Sequence, residues 1–250
     1  MRGGRGKTAT GEREWAVEFD DEVLSEQRAY YRGRAPEYDD WWQRRGRYDR
    51  GEEETREWHR QVASVDAALR SFDVKGDVLE LAGGTGWWTE RLAGRADRLT
   101  VVDAAPEALA LNRERVGRQD VSYVIADLFD WRPERSYDVV FFSFWLSHVP
   151  RRRFSSFWSL VRASLRTCGR VFFIDNRRDD TASEAQTERD PYVVEYGSDL
   201  HRRRLGDGSE YLVVKVMYEA DELRALIENE GWDAQVDSTR WFLFGSARPC

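Results

Sequence analysis

The stretch DVLELAGGTGWWTERLA, residues 77–93, constrains the fold more than any other part of the chain. An apolar run with Val78, Leu79 and Leu81 gives way to Gly83, Gly84 and Gly86, and a helical pattern follows at once. Glycines between a strand and a helix bring bare backbone close to a ligand at the sheet's edge. Further strand-like runs follow at Leu99–Asp103, Val121–Ile125, Tyr137–Ser143 and Arg170–Asp175, after the first at Asp77–Leu81. Helical stretches separate them at Trp87–Ala93, Pro106–Val116 and Arg151–Leu165. This alternation predicts an α/β protein with a doubly wound parallel sheet and helices on both faces. Pro106 and Pro150 stand where a helix start tolerates proline.

The end of the chain reads differently. Ala220–Glu230 is a predicted helix with Leu223, Leu226 and Ile227 on one face, stopped by Gly231. Ala234–Asp237 and Arg240–Ser246 then read as strands joined by too short a link for a parallel crossover, so the pair is expected to be antiparallel. An insert at 177–218 starts polar and ends in an expected hairpin, about His201 to Tyr218, around Gly206-Asp207-Gly208. Residues 21–75, rich in Trp, Tyr and Arg, read as a helical cap on a main domain of residues 76–250, and residues 1–20 as a disordered tail.

Composition narrows the function. The chain is 34% charged and its mean hydropathy is −0.72. Its longest apolar stretch, Val139 to Ser147, is far short of the roughly 20 residues that span a bilayer. No membrane partner and no secretory signal are expected, and Cys168 and Cys250 offer neither a disulfide framework nor a metal site. A reducing cytoplasm suits such a chain. A net charge of −7 gives no general attraction to nucleic acid.

A phosphate-binding loop would need a lysine after Gly86, and there is none. A dinucleotide loop would need a third glycine where Trp87-Trp88-Thr89 stands. The run Glu80-Leu81-Ala82-Gly83-Gly84-Thr85-Gly86, with Asp103 after the second strand and Asp127 after the third, resembles the class I S-adenosylmethionine-dependent methyltransferases. Ala82 departs from that pattern, which has glycine there. The resemblance implies a Rossmann-like seven-stranded sheet with its last strand antiparallel, and S-adenosylmethionine as cofactor. It implies that Glu80, Ala82, Gly84 and Gly86 form the cofactor loop. Asp103, with Ala104 beside it, would meet the ribose, Asp127 the adenine amino group and Leu128 the ring, with Ser143 at the fourth strand's end.

Methyl transfer from a sulfonium is an in-line displacement, so the protein's main task is positioning. His148, just past the fourth strand, is the candidate base, because an imidazole titrates near neutrality. The alternative is a structural histidine that caps the Pro150 helix or satisfies a buried carbonyl. Ahead of the first strand, Tyr31, Ala35, Tyr38 and Asp39 fit a lid pattern of the family. That implies Tyr31 on the methyl's path, with Tyr30, Tyr38 and Arg34 near the cofactor's carboxylate. The expected acceptor is a small molecule methylated on O or N, with C possible, and the hairpin is expected to cover it. An RNA-modifying enzyme and a non-catalytic cofactor-binding protein are the alternatives.

Overall fold

The computed structural model describes residues 9–177, 193–196 and 199–250, with 9–20 and 193–196 described by backbone alone. Five strands, β1 (Asp77–Leu81), β2 (Arg98–Asp103), β3 (Val121–Ile125), β4 (Tyr137–Ser143) and β5 (Leu165–Asn176), run parallel. With β9 (Trp232–Ser238) and β10 (Phe242–Pro249) they form one seven-stranded sheet in the order β3-β2-β1-β4-β5-β10-β9. The last strand, β10, is antiparallel to both its neighbours. This is the Rossmann-like sheet that the resemblance implies.

Both faces of the sheet are covered, which is why its central strands carry apolar residues at successive positions, as in Val139–Phe142. Leu79, Leu81, Val140, Phe142, Val171 and Phe173 point to one side and pack under α6 (Phe154–Ser164) and α7 (Ala220–Asn229). Val78, Val139, Phe141, Phe172 and Ile174 point to the other, against α3 (Glu52–Ser71) and α5 (Pro106–Val116). The short α4 (Thr89–Ala93) follows the glycine loop. Pro106 opens α5, and Gly117 at φ 63° ends it.

Several boundaries differ from the sequence reading. The helix expected over Arg151–Leu165 starts with a 3-10 turn at Arg151–Arg153, and Leu165 already belongs to β5. A register shift between Tyr137 and Val139 absorbs the polar start of that strand. Trp87 and Trp88 precede α4; Trp87 stacks on Trp42 instead, ring centres 5.0 Å apart.

Three helices precede β1: α1 (Ala9–Arg34), α2 (Asp39–Gln43) and α3, of which α3 packs on the sheet as part of its core. α1 therefore starts ahead of residue 21, and residues 1–8 of the expected tail lie outside the described residues. So does most of the polar first part of the insert. The expected hairpin is β7 (Leu200–Arg204) and β8 (Glu210–Val214), joined by a third strand, β6 (Val193–Tyr196), on the outer side of β7. No helix among the described residues is long and apolar enough to cross a membrane.

Candidate active site

The glycine loop leaves β1 with three residues in the left-handed region: Ala82 at φ 54°, Gly84 at 53° and Gly86 at 91°. The glycines are needed for different reasons. A Cβ on Gly83 would come within 2.3 Å of Val101 Cγ1, and one on Gly86 within 2.8 Å of Asn112 Cγ. A Cβ on Gly84 would meet nothing within 4 Å, because it would project into open space. Gly83 and Gly86 thus allow close packing, and Gly84 keeps a side chain out of a cleft that it lines. Asn112 of α5 holds the loop in this shape. Its fully buried amide donates to the carbonyl oxygens of Gly83 and Gly84, both at 3.2 Å, and to Thr89 Oγ1 at 2.7 Å. No motif in the sequence marks Asn112.

Three acids follow from the ends of β1, β2 and β3. Glu80 is buried, and burial, with Asp103 nearby, pushes its carboxyl up to about 8. Asp103 Oδ2 accepts the Gly84 N–H at 2.9 Å and Oδ1 accepts that of Ala105 at 2.8 Å, so the carboxylate is fixed toward the loop. Burial raises its pKa from the ordinary carboxylate value. Asp127 Oδ1 accepts the Phe129 N–H at 3.0 Å, and Arg28 of α1 pairs with Oδ2 at 2.6 Å.

The cleft encloses about 820 Å³ of space continuous with solvent. Ala82, Gly84, Asp103, Ala104, Asp127, Leu128, Ser143 and His148 line it on the sheet side. Leu24, Gln27, Arg28 and Tyr31 of α1, with Ala35 and Tyr38 just beyond, form its roof. The roof residues of α1 recur at helical spacing, so they share one face of that helix. Glu80 and Gly86 support the loop from behind.

Two side chains expected at the cofactor lie elsewhere. Tyr30 is turned by its place on α1 into the hairpin, where it packs against Leu205 and Val213. Arg34 also lies outside the cleft lining; its Nη2 donates to the Tyr48 hydroxyl at 2.9 Å, and its guanidinium sits over the Tyr38 ring.

At the roof's inner end, Tyr31 and His148 form a pair. His148 Nδ1 donates to the Val214 carbonyl oxygen at 2.7 Å, so its Nε2 lone pair accepts the Tyr31 hydroxyl at 2.6 Å. Gln27 of α1 ties the same place together. Its Nε2 donates to the His148 carbonyl oxygen at 3.2 Å, and its Oε1 accepts the Val214 N–H at 3.0 Å. Burial, then the nearby charge of Lys215, holds the His148 pKa well below the ordinary value, and burial holds that of Tyr31 well above. Both groups are neutral at pH 7, and the ring nitrogen expected to act as a base is occupied by Tyr31.

Comparison with known proteins agrees with this geometry. Residues 78–169 match the family described as "Methyltransferase domain". The structure of DhpI in complex with SAH is 35% identical, covers 92% of this chain and 98% of that one, and gives a TM-score of 0.75. DhpI in complex with SAM and HEP gives 36%, 91%, 98% and 0.74 in the same order. Nodulation protein S of Rhizobium tropici is 34% identical over 65 residues, 26% of this chain and 27% of that protein. Ribosomal RNA small subunit methyltransferase A of Salinibacter ruber is 44% identical over 54 residues, 22% of this chain and 18% of that protein. The match thus spans about a quarter or less of these curated relatives.

Proposed function

The chain belongs to the class I S-adenosylmethionine-dependent methyltransferases, and on that footing we propose that it transfers a methyl group to a small molecule held between α1, the hairpin and the exit of β4. The observation that carries this reading is convergence. The Cβ-free face of Gly84, the carboxylates of Asp103 and Asp127, and the Tyr31–His148 pair all open on one cleft. S-adenosylmethionine, when bound, supplies an electrophilic methyl on a sulfonium. The residues present suit that group. Asp103 would accept from the ribose hydroxyls and Asp127 from the adenine amino group, with Leu128 against the ring; Ala82, Ala104 and Ser143 complete the walls. Tyr38 closes the roof beside the glycine loop. Tyr31 meets the acceptor, and His148 orients Tyr31 by fixing its hydroxyl proton. With α1 as its roof, the site would hold nucleophile and methyl in line.

The negative net charge and the helical roof favour a small acceptor over RNA. Calorimetry with S-adenosylhomocysteine and with NAD tests the cofactor. One equivalent of S-adenosylhomocysteine should bind and NAD should not. Asp103→Ala and Asp127→Ala should each weaken binding about ten- to hundred-fold, the loss of a hydrogen bond at a charged group. Gly84→Val should nearly abolish it. Undiminished affinity in all three variants would refute the assignment.

A further inference from the structure

The inner face of the hairpin carries an unusual set of side chains. His201 pairs in register with Val213, and Arg203 with Tyr211, so these four share one face, and Lys215 follows just past β8. That face lies over Tyr30 and Tyr31 of α1. Lys215 is 8% exposed, and its ammonium donates to Ser147 Oγ at 2.8 Å, one residue before His148. Arg203 Nη2 donates to His201 Nδ1 at 3.3 Å. Arg34 approaches from α1, and its buried Nε has no hydrogen-bond partner among the described residues.

Three cations thus converge behind the Tyr31–His148 pair. The Asp175 carboxylate pulls on Lys215, and its oxygens already accept the N–H groups of Ser147 and Asn176. Burial, reinforced by Arg203 and Arg34 against the pull of Asp175, brings Lys215 down to about 8. Burial, with Arg203 and Lys215, brings His201 down to about 3. Lys215 is buried and Arg34 and Arg203 are half-buried, and gathering cations where water is scarce is costly unless an anion joins them.

We propose that Arg34, Arg203 and Lys215 form an oxyanion subsite, and that the methyl acceptor is the oxyanion itself, a carboxylate or a phosphorus oxyanion; this rests on the methyl-transfer reading above. Such an acceptor explains why the neighbouring imidazole is kept neutral and engaged. An oxyanion needs no base. One of its lone pairs forms the O–CH3 bond as the C–S electron pair returns to sulfur, and the two charges cancel without a proton moving. The cations hold the remaining oxygen or oxygens through charge-assisted hydrogen bonds.

The test is calorimetry on the full chain saturated with S-adenosylhomocysteine, titrated with inorganic phosphate or with acetate at constant ionic strength. A saturable heat is expected with at least one, and the tighter of the two identifies the kind of oxyanion. Lys215→Met and Arg203→Gln should each weaken that binding about tenfold or more. Lys215→Arg, which keeps the charge, should retain it, and all three should leave the affinity for S-adenosylhomocysteine within about twofold. Saturable binding of neither anion, or anion binding that both neutralising variants leave unchanged, would overturn the subsite. Failure to bind S-adenosylhomocysteine would instead overturn the methyl-transfer reading.

Discussion

Glu80→Gln isolates the electrostatics of the glycine loop. Glu80 is 1% exposed. Burial, opposed by a hydrogen bond from Thr89 and aided by Asp103, moves its pKa from 4.5 to about 8. An acid whose pKa is higher in the folded state binds its proton more tightly there. Its contribution to stability is therefore complete below pH 4.5 and is lost as pH rises toward 8. Each pKa unit is worth about 1.4 kcal/mol, so between pH 5 and pH 7 the loss is about 2.5 kcal/mol. Glutamine keeps the shape and cannot titrate. Urea unfolding of both proteins at pH 5 and pH 7 reads the effect, because every other titrating group cancels in the comparison. Relative to wild type, the variant should gain about 2.5 kcal/mol between the two pH values. Profiles that run parallel would show that Glu80 ionises freely in the folded chain and would refute the reasoning.

Ala82→Gly should raise stability by about 0.5–1 kcal/mol in the same assay, because an alanine at φ 54° bears a strain that glycine does not. His148 should remain neutral well below pH 6.5 with its proton on Nδ1, readable from imidazole nitrogen shifts in NMR; a titration near 6.5 would contradict its placement. S-adenosylhomocysteine should slow hydrogen exchange over residues 24–38 of the roof. Exchange around Trp42 and Trp58, packed in the core independently of any ligand, should be unaffected.

Much of the sheet was legible because strands buried on both faces are apolar at successive positions, and Val139–Phe142 reads so in any context. The start of β5 was not, because Arg166–Cys168 is an exposed polar stretch that falls within the register shift between the Leu165 and Arg170 pairs. β6 was missed within the polar insert. The three acids were legible from their places after successive strands, and all three lie at the glycine loop or in the cleft beside it. Asn112 was not: its partners become neighbours only once α5 packs on the loop. Tyr30 and Tyr31 show a different limit. Adjacent residues on a helix point about 100° apart. The spacing to Ala35 and Tyr38 selects Tyr31 for the cleft, and only the packed hairpin reveals where Tyr30 goes. The cationic group could not be read from the chain, since Arg34, Arg203 and Lys215 meet only in the folded protein.

One helix face covers both ends of the cleft. Arg28 pairs with Asp127 at one end, and Tyr31, a single turn later, bonds to His148 at the other. Between Leu24 and Tyr31 there is no glycine or proline, so α1 has no point at which to bend there; Gly33 and Pro36 lie past it. α1 is therefore a lever and not a pair of shutters. A displacement of α1 that freed Asp127 from Arg28 would also part Tyr31 from His148, so the two ends of the cleft would open together.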